Sequence, residues 1–139
     1  MVLFEADATR AVYAREVSGE RLATLYYGID LDAIRAFATV TGRDDARRST
    51  GFAGDSVVLA CVGNFEPRKG QAALAAAFAL VADEFPEARL ALVGQNDTPY
   101  ARAVEELVAG LGLGGRIQVR TAEPSPYDWY LAADGFVAA

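Results

Sequence analysis

Histidine is missing from this chain of 139 residues, and cysteine occurs once, at Cys61. The lack of histidine argues against a Ser-His-Asp type of catalytic site and against the common zinc sites. A single cysteine excludes a disulfide framework, and its position inside an apolar run favours a small buried side chain. We therefore expect neither a metal site nor a disulfide.

The chain also lacks an excess of basic residues and any very long apolar run. Its formal net charge is -6, which argues against general nucleic-acid binding. No apolar run reaches the roughly 18 residues of a membrane-spanning helix, and no signal peptide opens the chain. Hydrophobic residues still make up 53% of the sequence. The composition thus predicts a cytoplasmic chain with a packed core and no nucleic-acid partner.

One stretch combines a strand, a loop and a helix. Six apolar residues at 57–62 run without interruption into Gly63, and a polar loop with Arg68 and Lys69 follows. From Gln71 onward the apolar residues fall at helical spacing. An uninterrupted apolar run is typical of a parallel strand that is covered on both faces. Cationic side chains at the end of such a strand, beside a helix start, favour phosphate binding.

The same alternation continues to the end of the chain. The pattern predicts strands at 57–62, 88–93, 116–120 and 135–138, and helices at about 69–84, 99–111 and 127–133. Strands that alternate with helices imply parallel right-handed crossovers. In the usual doubly wound order the first strand lies between the second and the fourth, so a crevice opens between the first and fourth strands. The inward stripe of the first helix is predicted to be Leu74, Ala77, Phe78, Val81 and Phe85.

Three regions follow from this pattern. Residues 1–38 contain short elements, which suggests the end of a preceding domain and a crossover from it. Residues 39–55 are polar and charged, and we expect a linker. Its arginines allow a phosphate or partner site, but a solvated short helix is favoured. Residues 56–139 form the predicted Rossmann-like domain.

Several motifs together resemble one protein family in their order and spacing. The chain is similar, over about residues 21–139, to the donor-binding half of GT-B glycosyltransferases of the retaining family 4 kind. The motifs that carry the resemblance are Tyr27-Gly28-Ile29-Asp30, Val62 to Gly70, Ala77-Phe78, Ala88 to Gly94, Leu111 to Ile117 and Tyr130 to Asp134.

The resemblance implies a fold and an activity. The fold class is α/β, a Rossmann-like doubly wound parallel sheet, truncated at its C-terminal end. The family transfers a sugar from a nucleotide-diphosphate-sugar donor to a glycan, lipid or small-molecule acceptor, usually with retention, and requires no metal or other cofactor. The acceptor binds mostly in a separate N-terminal domain, and the full-length protein can associate peripherally with membranes. The family's acidic motif normally follows the fourth strand, beyond Ala139, so no catalytic residue is assigned and the chain alone is expected to be inactive.

The family's donor pocket also indicates which residues contact the donor here. Lys69 matches the lysine of a cationic pair, whereas Asn64 stands where the family usually has arginine, and Arg68 lies beside the lysine. Gly63 and Gly70 match positions where the backbone approaches the phosphates. Gly94 aligns with the glycine that ends the second strand. The predicted donor-binding residues are Gly63, Asn64, Arg68, Lys69, Gly70, Gly94, Thr121 and Ala122, the last two near the nucleobase.

Two function classes stay open at this point. The first is a fragment of a sugar-transferring enzyme, and the second is a non-catalytic Rossmann-like binding or interaction module, which Asn64 keeps open. A dinucleotide oxidoreductase is disfavoured because the loop after Gly63 lacks the G-x-G-x-x-G pattern. The nucleotide, the sugar and the acceptor are not predicted.

Overall fold

The computed structural model describes residues 1–16, 21–52, 54–123 and 125–138. Ala139, the end of the predicted third region, lies outside these ranges. The chain divides into two compact units, Met1–Arg35 and Ala36–Ala139.

The first unit is small and contains one pair of parallel strands. Strand β1 spans Val2–Phe4, helix α1 spans Asp7–Tyr13 and strand β2 spans Leu22–Thr24. The carboxylate of Asp7 accepts hydrogen bonds from the hydroxyls of Thr24 and Tyr26, both at 2.6 Å. Helix α2, Leu31–Val40, begins in this unit and ends in the second. Two paired strands bury little apolar surface, so most of the core must lie elsewhere.

The second unit contains a four-stranded parallel sheet with helices on both faces. The strand order is β5-β4-β3-β6, so the first strand of the domain, β3, lies between the second and the fourth as predicted. Strands β3 and β4 are confirmed at their predicted bounds, and β6 is shorter than predicted. The elements are α3 Arg43–Thr50, β3 Val57–Val62, α4 Gln71–Val81, β4 Ala88–Val93, α5 Pro99–Gly110, β5 Ile117–Arg120, α6 Pro126–Ala132 and β6 Gly135–Phe136.

The uninterrupted apolar runs are explained by two core clusters, one on each face of the sheet. Successive side chains of a strand point to opposite faces. Cys61 therefore packs with Phe78 and Val104 of helices α4 and α5. Ala60, the residue before it, packs on the other face with Ala46 and Trp129 of helices α3 and α6. No helix within the described residues combines the length and apolarity needed to cross a membrane.

The predicted inward stripe of the first helix is partly wrong. Phe78 is buried as predicted and Leu74 is partly buried, but Ala77, Val81 and Phe85 are exposed. Alanine occupies both sides of this helix, so apolarity alone does not mark the inward face. The face that packs on the sheet is Gln71, Ala75, Phe78 and, just after the helix, Ala82.

The charged segment 39–55 contains the short helix that the sequence favours, but this helix is partly buried and not fully solvated. Helix α3 forms within it, and Arg47 on this helix is only 6% exposed. The guanidinium of Arg47 donates to the carbonyl oxygens of Ala132 at 3.1 Å and Gly54 at 2.7 Å, and to Asp134 Oδ2 at 2.6 Å. These bonds compensate the buried charge and attach α3 to the end of α6 and to the segments that precede β3 and β6.

Candidate functional site

The predicted crevice is present where strands β3 and β6 end. Parallel strands leave their loops on the same edge of a sheet, and the order changes direction between these two strands. A cavity of about 320 Å³ opens there. One wall is the end of β3 with the following loop, and the other is the segment that follows β6. The lining residues are Cys61, Val62, Gly63, Arg68, Lys69, Gln71, Phe136, Val137 and Ala138.

Lys69 enters the crevice from a short 3₁₀ turn, Pro67–Lys69. Proline starts this turn with a φ already suited to it, and Gly70 closes it with a left-handed φ of 66°. The amide of Lys69 donates to the carbonyl of Glu66 at 2.9 Å. The turn therefore fixes the backbone from which the ammonium extends.

The ammonium of Lys69 is a cation without an acidic partner in the described part of the chain. Lys69 is the only lysine of the sequence and is partly buried. None of the ion pairs formed by the described residues includes it. Burial raises the pKa of the neighbouring Cys61 thiol, and the positive charge of Lys69 opposes that rise. The crevice thus contains positive charge that an anion can neutralise.

Arg68 lines the same crevice, but its charge is already compensated. Its side chain is 69% exposed, and Nε donates to Oε2 of Glu66 at 2.6 Å. Because this pair lies in solvent, it is weak and exchangeable. Of the two neighbouring cations, Lys69 is therefore the better placed to attract an anionic ligand.

Gln71 lines the crevice and was missed by the sequence interpretation. Its side chain is 1% exposed, and Nε2 donates to the carbonyl of Asn64 at 2.9 Å and more weakly to that of Gly63 at 3.4 Å. Its Oε1 is buried and has no hydrogen-bond donor among the described residues. The available signal was spacing, since Gln71 precedes the buried Ala75 and Phe78 by four and seven residues.

Gly94 supports the site through the backbone. A Cβ atom built on Gly94 would lie 2.0 Å from the carbonyl oxygen of Gly63 and 3.1 Å from the nitrogen of Asn64. Only glycine allows the two strand ends to approach so closely. The amide of Gly63 donates to the carbonyl of Val93 at 2.8 Å, which continues the sheet into the loop.

The crevice brings together three of the eight predicted donor-binding residues, Gly63, Arg68 and Lys69. The other five are not in its lining. The side chain of Asn64 is exposed, and Thr121 lies at the end of β5, two strands away from β3. Ala122 packs against the second core cluster. The donor contacts of all eight residues stay predictions, since the cavity shows only which of them lie together.

Comparison with known proteins assigns this arrangement to a family. The family model described as glycosyl transferases group 1 matches residues 42–139. This chain belongs to that family, and the predicted resemblance is confirmed. The match begins just before helix α3, so residues 42–55 of the charged segment are part of the family domain.

A curated relative and two solved structures show how far the similarity extends. The D-inositol 3-phosphate glycosyltransferase of Thermobispora bispora is 31% identical over 124 residues, which cover 83% of this chain and 28% of the relative. WaaG, a glycosyltransferase involved in lipopolysaccharide biosynthesis, superposes with a TM-score of 0.82 at 23% identity and covers 98% of this chain. The structure of Anabaena HepE (Alr3699) in complex with UDP-glucose superposes with a TM-score of 0.81 at 20% identity and covers 100% of this chain.

The chain spans 28% of that relative's length and 37% and 38% of the two solved chains. The structural matches confirm the fold class, an α/β parallel sheet of the kind found in the C-terminal domain of GT-B enzymes.

Proposed function

We propose that this chain binds a nucleotide-diphosphate-sugar donor, with the diphosphate held beside Lys69 in the crevice between β3 and β6. The observation that carries the proposal is that Lys69, which has no acidic partner among the described residues, lines a cavity at the carboxyl ends of the neighbouring parallel strands β3 and β6. The solved structure of HepE contains UDP-glucose, which supports a donor of this class.

The chemistry of sugar transfer gives the lysine a specific task. When the bond between sugar and diphosphate breaks, negative charge develops on the leaving diphosphate. A cation held in place before the reaction stabilises that charge without a cost of reorganisation. Lys69 is suited to this task because its turn is fixed by Pro67 and Gly70 and no carboxylate of the described residues competes for it.

The whole protein is accordingly proposed to be a glycosyltransferase that transfers a hexose and retains the configuration of the anomeric carbon. The donor contacts predicted for the residues outside the crevice lining belong to this proposal too. They require either a larger ligand than the cavity alone holds or a movement of the loops. The acceptor is proposed to bind in a separate N-terminal domain.

The second candidate function is a non-catalytic binding module. It is favoured by the exposed Asn64, which stands where the family usually has arginine, and by the Glu66 carboxylate that neutralises Arg68. With one uncompensated cation, the crevice can bind a diphosphate and still stabilise the transition state of transfer poorly.

The binding proposal is tested by calorimetric titration of the chain with UDP. We expect Lys69→Ala to weaken UDP binding by about tenfold to a hundredfold, which corresponds to a lost charge-assisted hydrogen bond. Arg68→Ala should weaken it by less, about threefold, because Glu66 already pairs with Arg68.

The matched control is Arg102→Ala, which removes one positive charge from the exposed surface of α5. It should leave UDP binding within about twofold, because the charge lies outside the crevice and is screened by salt. Equal losses in Lys69→Ala and Arg102→Ala would contradict the proposal, since net charge rather than the site would then explain binding.

A further inference from the structure

Gln71 lines the crevice, and the oxygen of its side chain is a buried acceptor. Its orientation follows from its partners. Nε2 donates to the carbonyl oxygens of Asn64 and Gly63, and the reversed amide would place Oε1 against these two oxygens. Oε1 is therefore fixed on the other side of the amide, where no described residue donates to it.

A buried acceptor without a donor is costly, and a folded protein rarely retains one without a reason. Gln71 is a costly choice here for a second reason. It begins the inward face of a helix whose next inward residues are Ala75 and Phe78, so its amide is buried beside apolar side chains. The bonds from Nε2 to the loop carbonyls account for the nitrogen of this amide and leave its oxygen unexplained. The position of Gln71 in the crevice lining suggests that a ligand supplies the missing donor.

The chemistry of the ligand limits which of its groups can do so. A diphosphate that carries its full charge presents only acceptor oxygens, so it pairs with Lys69 and cannot pair with Oε1. A hydroxyl group donates. We propose that Gln71 Oε1 accepts a hydrogen bond from a hydroxyl of the bound ligand, and that Gln71 thereby favours a sugar-bearing diphosphate over a bare one.

This inference rests on the proposed function, because it requires the diphosphate to lie beside Lys69. It adds a second recognition element of opposite polarity at the same crevice. Lys69 attracts the negative charge of the diphosphate. Gln71 accepts a hydrogen bond from a hydroxyl of the group that is attached to this diphosphate. Neighbouring donors and acceptors of this kind distinguish ligands that a charge alone does not.

The test compares UDP-glucose with inorganic pyrophosphate by calorimetry on the wild-type chain and on Gln71→Met. Methionine has a similar length and no hydrogen-bonding amide. Loss of the Nε2 bonds can change the loop and so weaken the binding of both ligands. The readout is therefore the ratio of their two dissociation constants. We expect Gln71→Met to weaken UDP-glucose about fivefold more than pyrophosphate.

Gln118→Met is the matched control. Gln118 lies on β5 outside the crevice lining, and its Oε1 is likewise buried without a donor among the described residues. This substitution should leave the ratio unchanged. A third arm with UDP distinguishes the source of the hydroxyl, since a changed ratio for UDP indicates the ribose and an unchanged one indicates the glucose.

A second measurement keeps the test independent of whether Gln71→Met folds. The sequence contains three glutamines, so their side-chain carbonyl carbons give few NMR signals. In the wild-type chain the Gln71 signal should shift when UDP-glucose is added and stay in place with pyrophosphate. The Gln118 signal should stay in place with both.

The outcomes separate this inference from the proposed function. If the wild-type chain binds neither UDP-glucose nor pyrophosphate, the proposed function fails. If it binds both, and Gln71→Met leaves their ratio within about twofold while the Gln71 signal does not respond to UDP-glucose, the proposed function stands and the inference about Gln71 is overturned.

Discussion

At the residue scale, neighbours in sequence differ in what they offer a ligand. Arg68 and Lys69 are adjacent and line the same crevice, but Glu66 compensates only Arg68. Gly63 and Gly94 are both glycines at strand ends, but only Gly94 faces another backbone at contact distance. The residue type alone therefore does not determine the role of a residue in the site. In each pair, a substitution at one residue can be compared with a substitution at the other as its control.

Gly94→Ala should destabilise the fold. Its new Cβ would lie 2.0 Å from the carbonyl oxygen of Gly63, so the ends of β3 and β4 must separate. We expect a loss of about 1–3 kcal/mol in the free energy of unfolding, measured by urea denaturation.

Gly63→Ala is the matched control, because its added Cβ has no atom within 4 Å. Its free energy of unfolding should stay within about 0.5 kcal/mol of the wild-type value. Equal stability of the two variants would show that the close approach of the two strand ends is not required.

The sequence predicted Lys69 because a cation before a helix, at the end of an apolar strand, is a local pattern. It did not predict Gln71, because the partners of this amide are the carbonyl oxygens of Gly63 and Asn64 and become visible only when the loop is folded. The pairing of Arg68 with Glu66 was missed as well, since spacing does not reveal which of two cations a carboxylate selects.

At the scale of elements, strands were easier to predict than helix faces. The ends of an apolar run predict the ends of strands β3 and β4, because helices cover both faces of these strands. The inward face of α4 was partly wrong because alanine is tolerated on either side of a helix. Helix α3 was favoured as a solvated surface because most of its residues are charged or polar. Its buried residues Ala46 and Arg47 contact α6 and, in the case of Arg47, also Asp134.

Arg47→Met should destabilise the second unit. It removes the buried guanidinium that donates to Ala132, Gly54 and Asp134, and it leaves Asp134 with fewer positive charges around it. We expect a loss of about 2–4 kcal/mol in the free energy of unfolding. Arg48→Met, a neighbour whose exposed side chain pairs with Asp45, should change this free energy by less than about 0.5 kcal/mol.

If Arg47→Met and Arg48→Met have the same stability in urea denaturation, helix α3 is not held by the buried guanidinium. The account of the charged segment as part of the domain would then be contradicted.

The same cluster predicts a dependence of stability on pH. Burial raises the pKa of Asp134. The hydrogen bond from the Val58 amide and the guanidinium groups of Arg43 and Arg47 lower this pKa by more than burial raises it, so its folded-state value lies below the ordinary 3.8. A carboxyl whose pKa is lowered by folding stabilises the fold fully at a pH above its ordinary pKa. This stabilisation is lost as the pH falls through its folded-state pKa.

We therefore expect the free energy of unfolding to fall as the solution is acidified below about 3.8, and Asp134→Asn to lessen this fall. Asp7 has a lowered pKa too, because Thr24 and Tyr26 donate to it. The difference between wild type and Asp134→Asn isolates the contribution of Asp134. Parallel stability curves for the two proteins would contradict the assignment.

At the scale of the whole molecule, the order of the four strands followed from the alternation of strands and helices together with the usual doubly wound order of such sheets. This order places the crevice beside β3, and the structure confirms it. The boundaries of the three predicted regions stay a prediction. The acceptor and the catalytic acids could not be predicted from this sequence, because the resemblance places them in other parts of the family's fold.

We expect the chain to bind UDP-glucose without transferring glucose. The crevice that we propose for the donor lies within the described residues, whereas the resemblance places the acidic motif after β6, beyond residue 139. The measurement is the release of UDP from UDP-glucose in the presence of sugar and lipid acceptors. Sustained turnover by this chain alone would contradict the expectation and would place the catalytic groups within it.

The most direct test uses Lys69 as its own reporter. Reductive methylation with ¹³C-formaldehyde keeps the charge of the ammonium and labels the only lysine and the N-terminal amine. On titration with UDP, the Lys69 signal should shift and saturate at the concentration that saturates the calorimetric binding curve, while the N-terminal signal stays in place. Saturated UDP binding with an unmoved Lys69 signal would contradict the account, because the diphosphate would then lie elsewhere.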